Sequence, residues 1–243
     1  MKLFLLLSRL SLERPIFHSE DDFKFALAQL IKRDFPNYSI RLEKPVSTQM
    51  IKRSGVKEDQ PRRTPIDIVC RTETGEEIPI ELKYKTKIMT CTDHHGEEFN
   101  LTQQGAVDTG RFGLRRDIYR VEQYLKKPES AQTGYVVMLT NDHDYLKNIE
   151  DSNSIDCHFS CHDEAIIERI DQGWNLDKVK EKGFIEDPVT MEAKKGSKLH
   201  WTSEGQYYHK LDLGNEYQIH WLPYSKIGKS EFKFCIVEVS VHE

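Results

Sequence analysis

The sequence predicts an α/β chain built on a mixed β-sheet flanked by helices. Three stretches carry that expectation: an amphipathic run over residues 19–34, two alternating runs at 65–72 and 78–85, and a helical pattern over 101–127 followed by an apolar run at 135–139. Helical spacing, strict alternation and short unbroken apolar runs are the patterns by which helices, half-buried strands and buried strands announce themselves.

The chain begins MKLFLLLSRLSLERP, where Arg9 interrupts a short apolar run and no small-residue cleavage site follows. The run is too short and too charged to span a bilayer. Phe4, Leu7, Leu10 and their neighbours are expected to form a buried or partner-facing helix. A chain without an export signal is expected in the cytoplasm, where its five cysteines would be free thiols.

Ser19 is placed as an N-cap, and Glu20, Asp21 and Asp22 follow in a first turn where the helix dipole favours negative charge. Phe23, Ala26, Leu27, Leu30 and Ile31 then recur at helical spacing until Pro36. A strand is expected near 38–42, then a polar, basic loop over about 47–63. The runs PIDIVCRT and IPIELKYK, separated by ETGEE, predict a hairpin. The next helix, over 101–127, carries Ile118, Val121, Tyr124 and Leu125 on its apolar side and invites a break near Gly110 and Gly113. Residues 135–139 form a buried strand.

Beyond residue 141 the pattern is weaker. Short charged helices are expected near 164–170 and 176–182, and the segments 216–222 and 232–241 alternate like paired strands. With no repeat, low-complexity tract or linker, residues 1–243 are expected to form one domain. Its core would span about 15–140, with a β-rich C-terminal elaboration over 141–243.

A net charge of −5 argues against a protein that coats nucleic acid through bulk positive potential. Contact with nucleic acid would have to be local, through Lys52, Arg53, Lys57, Arg62 and Arg63, or through Arg111, Arg115 and Arg116, although such runs more often form a solvated face.

Pairing the hairpin about Thr74 and Gly75 sets Ile66 against Leu82, Ile68 against Ile80 and Cys70 against Ile78. Period-two alternation then places Asp67 across from Glu81 on the opposite face, with Lys83 two residues further on. Carboxylates paired across strands at roughly 5 Å repel. A divalent cation would remove the conflict, and hard oxygen donors suit Mg²⁺ or Mn²⁺.

With these residues the chain resembles the PD-(D/E)xK, or restriction-endonuclease-like, nucleases. Their core is a helix, a hairpin bearing the acids, a second helix and a further strand, the order read here over about 15–140. The segment 64-TPID-67 stands in place of the family's Pro-Asp, with Ile66 intervening, and 81-ELK-83 matches its Glu-x-Lys. Glu20 in 17-FHSEDDF-23 resembles the acid some branches place on the first helix, and Gln104 is a candidate for the glutamine that several carry after the site.

The resemblance implies Mg²⁺- or Mn²⁺-dependent hydrolysis of DNA phosphodiester bonds, of the restriction or repair type, on either single or double strands. Asp67, Glu81 and the Leu82 carbonyl would hold the metal, and Glu20 would complete its shell. Lys83 would orient the attacking water. Because a lysine ordinarily titrates near 10.4 and here lies beside carboxylates, a cationic, positioning role is expected rather than proton abstraction. Symmetric cutting of both strands would need a homodimer, for which the apolar N-terminal segment offers an interface.

Other clusters have plainer explanations. Cys157, His158, Cys161 and His162 lack a second pair at zinc-finger spacing. Asp93, His94 and His95 suit a loop, and Arg116 and Arg120 with Asp117 suit a salt-bridged helix face. Trp201, Tyr207, Tyr208, Tyr217, Trp221 and Tyr224 suit packing better than base stacking. The rival function is a non-catalytic nucleic-acid-binding or assembly module on the same fold.

Overall fold

A computed structural model of the chain describes residues 1–48, 62–149, 154–186 and 210–240. Lys52, Arg53 and Lys57, and with them Trp201, Tyr207 and Tyr208, lie outside the described residues.

Helix α1 (Leu3–Glu13) buries Leu3, Leu6, Leu7 and Leu10 and leaves Phe4, Leu5 and Leu12 exposed. Helix α2 (Glu20–Asp34) starts where the cap residue predicts, with Ser19 accepting the Asp22 N–H at 3.1 Å. Strands β1 (Ser39–Thr48), β2 (Arg62–Arg71) and β3 (Glu77–Lys85) follow. They join β6 (Thr133–Thr140), β9 (Trp221–Ile227) and β10 (Ser230–Ser240) in a six-stranded mixed sheet ordered β1-β2-β3-β6-β10-β9. The β3–β6 pair is parallel and the others are antiparallel. A parallel neighbour requires a crossover. It is made by a hairpin of β4 (Met89–Thr92) and β5 (Glu98–Leu101), then α3 (Val107–Leu125). The strands of the C-terminal elaboration thus extend the sheet beyond β6.

Two apolar cores cover the sheet. On one face Ile68, Cys70, Ile80, Leu82 and Tyr84 pack with Leu7, Phe17, Phe23 and Leu27. On the other, Leu114, Ile118, Val121 and Leu125 of α3 meet Val136, Met138, Cys235 and Val237. Strand β6 serves both, which is why its sequence is an unbroken apolar run.

Several expectations need correction. Helix α3 starts at Val107 rather than near Leu101, which belongs to β5, and neither Gly110 nor Gly113 breaks it. Both glycines instead allow close approach: a Cβ at Gly110 would sit 2.1 Å from the Tyr145 hydroxyl, and one at Gly113 would sit 2.9 Å from Lys83 Cε. Residues 164–170 are not helical. Glu164 adopts φ 66° and strand β7 (Ile166–Ile167) pairs with β8 (Tyr217–Gln218). Consequently 216–222 does not pair with 232–241 as one strand, and β9 begins only at Trp221. The expected helix at 176–182 is present as α4 (Leu176–Glu181).

Arg111 and Arg115 of α3 do not belong to a solvated face. Arg111 pairs with Asp156 at 2.8 Å and donates to the Asp144 carbonyl. Arg115 donates to the carbonyls of Leu211, Glu168 and Arg169. Both are buried, and they tie the irregular segments after β6 to the helix. Tyr217, Trp221 and Tyr224 are buried packing residues whose polar ends reach Glu122, the Cys161 carbonyl and the Arg14 carbonyl.

Candidate active site: a split between two strands

The hairpin adopts the register read from its alternation, with Ile68 opposite Ile80 and Cys70 opposite Ile78. The ladder ends there. Beyond it β2 stays with β1, where Ile66 pairs Lys44, and β3 stays with β6, where Glu81 pairs Val136, so β2 and β3 part. Asp67 and Glu81 therefore flank the mouth of a split instead of facing each other in a continued ladder.

Parting the strands would orphan N–H groups on that side of β3, a cost the chain must meet. Two acids meet it. Asp67 Oδ2 accepts the Leu82 N–H at 2.8 Å, and Glu20 Oε2, from the first turn of α2, accepts the Tyr84 N–H at 2.7 Å. Glu20, the acid whose approach no sequence spacing could supply, is thus brought to the strand that carries Glu81 and Lys83. In an extended strand the N–H and C=O of one residue point to the same edge, so the Leu82 carbonyl also opens to the split.

Asp67 and Glu81 also meet cations of the chain. Lys24 of α2 lies 3.4 Å from Asp67 and pairs with Glu43 of β1 and with Asp21. Arg120 of α3 sets Nη2 2.8 Å from Glu81 Oε1 and Nη1 3.3 Å from Asp117 Oδ1, and donates to the Pro65 carbonyl. Lys83 turns to Asp117, 2.5 Å away, rather than to either hairpin acid. Glu81, Lys83 and Asp117 are 2%, 9% and 0% exposed.

Burial sets the protonation tendencies. It pushes the Glu81 carboxyl well up, and Asp117 and Asp67 beside it add to the push against the pull of Arg120. Burial also raises Glu20, despite Lys83 and the Tyr84 N–H. For Lys83 burial pulls down, but Asp117 and Glu20 outweigh it and hold the ammonium above its ordinary value. Lys83 is therefore held in its charged form. Two strand positions on, Lys85 is lowered by burial and by Lys83.

Gln104 is not on α3. It lies in the link before it, its N–H donating to the Thr86 carbonyl at 3.0 Å. Among the described residues none of its side-chain hydrogen bonds reaches Asp67, Glu81 or Lys83. Asp117 and Arg120 were legible only as members, with Arg116, of a salt-bridged helix face, and their part in the split was missed. A sharper signal was present: Gly113 and Asp117 stand four residues apart, one making room for the Lys83 chain and the other anchoring its end.

The donors are hard oxygens of the kind that suit Mg²⁺ or Mn²⁺. As placed they do not fit an ion, because they are turned to N–H groups and to the chain's own cations. Among the described residues no group of three or more His, Cys, Asp or Glu side chains could hold a metal. That holds too for Cys157, His158, Cys161 and His162, where the Cys161 thiol meets the Tyr145 carbonyl and His162 meets Ser160. Asp93, His94 and His95 form the β4–β5 turn, with Asp93 accepting the His95 and Glu97 N–H groups. No helix of the described residues is long and apolar enough to cross a membrane. No protein-family model and no curated protein matches the chain.

Proposed function

We propose that the chain is a metal-dependent nuclease that hydrolyses phosphodiester bonds in DNA, with Glu20, Asp67, Glu81 and Lys83 as its working residues. The observation that carries this reading is the split. Four elements deliver carboxylates to one strand gap, and a buried lysine, held charged, stands beside them. Clustered buried ionisable groups with shifted proton affinity are costly to maintain for stability alone and concentrate at functional sites. Mg²⁺ or Mn²⁺ is the implied cofactor, and Asp67, Glu81, Glu20 and the Leu82 carbonyl are the donors that would turn to it. The Lys83 ammonium offers a fixed positive charge to a phosphate or to the water that attacks it.

The test is incubation of the purified chain with plasmid, linear and single-stranded DNA in Mg²⁺ or Mn²⁺. Cleavage is expected to be abolished by EDTA and to fall by about 100-fold or more in Asp67→Ala and Lys83→Ala, the scale of losing a group that stabilises developing charge. Cleavage no faster than that of the variants on every substrate would sink the reading.

One observation favours a second reading, a nucleic-acid-binding or assembly module on this fold: the acids already have internal cations. That reading predicts DNA or partner binding that survives EDTA and Glu81→Ala. Assembly as a homodimer belongs with the nuclease reading, through the exposed Phe4, Leu5 and Leu12 of α1.

A further inference from the structure

Strand β1 forms one edge of the six-stranded sheet, and among the described residues no strand pairs with its outer side. Alternate residues of a strand turn both backbone groups to the same edge, so half of those over 39–42 face away from β2. Beyond them the edge closes itself: Glu43 takes a left-handed φ of 52°, and Pro45 has no N–H to offer. The open stretch is thus residues 39–42. A groove of about 550 Å³ lies between it and α2.

The groove joins apolar surface to charge of one sign. Phe25 of α2 and Leu42 line it, with Ile40, and remain 54% and 40% exposed. Among the described residues that line it the charged ones are Lys32 and Arg41, both cations. Lys32 donates to the Pro36 and Tyr38 carbonyls, and Arg41 has no ion pair or side-chain hydrogen bond among the described residues. The neighbouring acids are engaged, Glu73 by the Asn37 amide at 2.8 Å and Glu43 by Lys24. A charge on an edge strand ordinarily guards it against pairing with another chain, but guards of one sign exclude only partners of that sign. A second copy, paired antiparallel with its Leu42 opposite Ile40, would set the two Arg41 side chains against each other, and like charges directly opposite destabilise. An extended acidic segment meets no such repulsion.

We propose that this groove docks an extended acidic peptide segment of another protein, which adds as a strand along residues 39–42 and sets its carboxylates by Arg41 and Lys32 and its apolar side chains on Phe25 and Leu42. Backbone pairing with the open edge supplies affinity, and the alternate side chains supply selectivity. A nucleic acid would use the two cations but leave the backbone edge unpaired. The inference is independent of the nuclease reading, since none of the residues that line the groove belongs to the β2–β3 split.

The test is fluorescence anisotropy of the full chain with a labelled nonapeptide of alternating Glu and Val. Two controls accompany it, the same peptide with Lys in place of Glu and the same peptide N-methylated throughout. The acidic peptide is expected to bind about tenfold or more tightly than either control, because like charges repel and N-methylation removes the N–H groups that pair with the edge. Arg41→Glu, at an exposed position, is expected to weaken the acidic peptide about fivefold or more and to strengthen the lysine peptide. Equal affinities for the three peptides, no binding of the acidic one at about 1 mM, or no response to Arg41→Glu overturns the inference. So does a single-stranded oligonucleotide that displaces the peptide at equal concentration, which would make the groove a nucleic-acid contact. Sedimentation as a dimer that the acidic peptide disperses would make the occupant a second copy and overturn it too.

Discussion

Lys83 and Asp117 are both shut off from water, and their 2.5 Å contact is the shortest route by which either charge is offset. Removing one partner of such a pair strands the other. Asp117→Ala or Lys83→Ala should each lower unfolding free energy by about 3–5 kcal/mol in urea titrations, whereas Lys83→Met with Asp117→Leu should cost much less, because no charge is left unpaired. Equal losses for the single and double variants would mean that the pair acts through packing alone. Glu77 makes a second prediction. Burial pulls its carboxyl up, but hydrogen bonds from Lys44 and Tyr124 outweigh that and hold it below the ordinary value. A carboxyl depressed on folding contributes stability above its unfolded value, about 4.3, and loses it as pH falls through the folded one. The acid limb of a stability profile below about pH 4.3 should therefore be shallower in Lys44→Met, and an unchanged limb would remove Glu77 from the account.

At the scale of elements, α3 is the piece on which the site depends, since it supplies both Asp117 and Arg120. It lies close on β6 because position 134 has no side chain: a Cβ there would come within 2.5 Å of Val121 Cγ1 and 3.0 Å of the Pro79 carbonyl oxygen. Gly134→Ala should cost about 1–3 kcal/mol by overpacking, read as a lower urea midpoint at unchanged slope. Arg115→Met should leave the sheet intact and speed amide exchange selectively at 165–171 and 211–213, the segments whose carbonyls it holds. How far these elements could be read from sequence follows from the range of their interactions. The hairpin register was legible because it needs only period-two alternation about one turn, and α2 because Ser19 and three acids mark its start. Strands β4 and β5 were missed because MTCT and EFNL are four residues each, too short to establish a period. Buried arginines were misread because their partners, Asp156 and the Leu211 carbonyl, stand 45 and 96 residues away. A charge in a helix pattern cannot say whether such a partner exists. Asp117 and Arg120 fell to the same ambiguity, as a surface salt bridge at i, i+3 shares their spacing.

Across the whole molecule, the sheet is arranged so that its two halves pull apart at the site. β2 follows β1, and β3 follows β6, whose further neighbours β10 and β9 come from the C-terminal half. The strands after residue 210 thus anchor the β6 side of the split although they lend it no acid. Helices α2 and α3 close it from opposite faces, one bringing Glu20 and Lys24, the other Asp117 and Arg120. If the chain acts on DNA as proposed, the net charge of −5 leaves the attraction to local groups, and binding is expected to weaken only modestly with salt. The central proposal, a nuclease that works with Mg²⁺ or Mn²⁺ at this split, is tested most directly by anomalous scattering from crystals soaked in MnCl₂. The nuclease reading predicts a manganese peak beside the carboxylates of Asp67 and Glu81. Saturating manganese that leaves no peak there would contradict it.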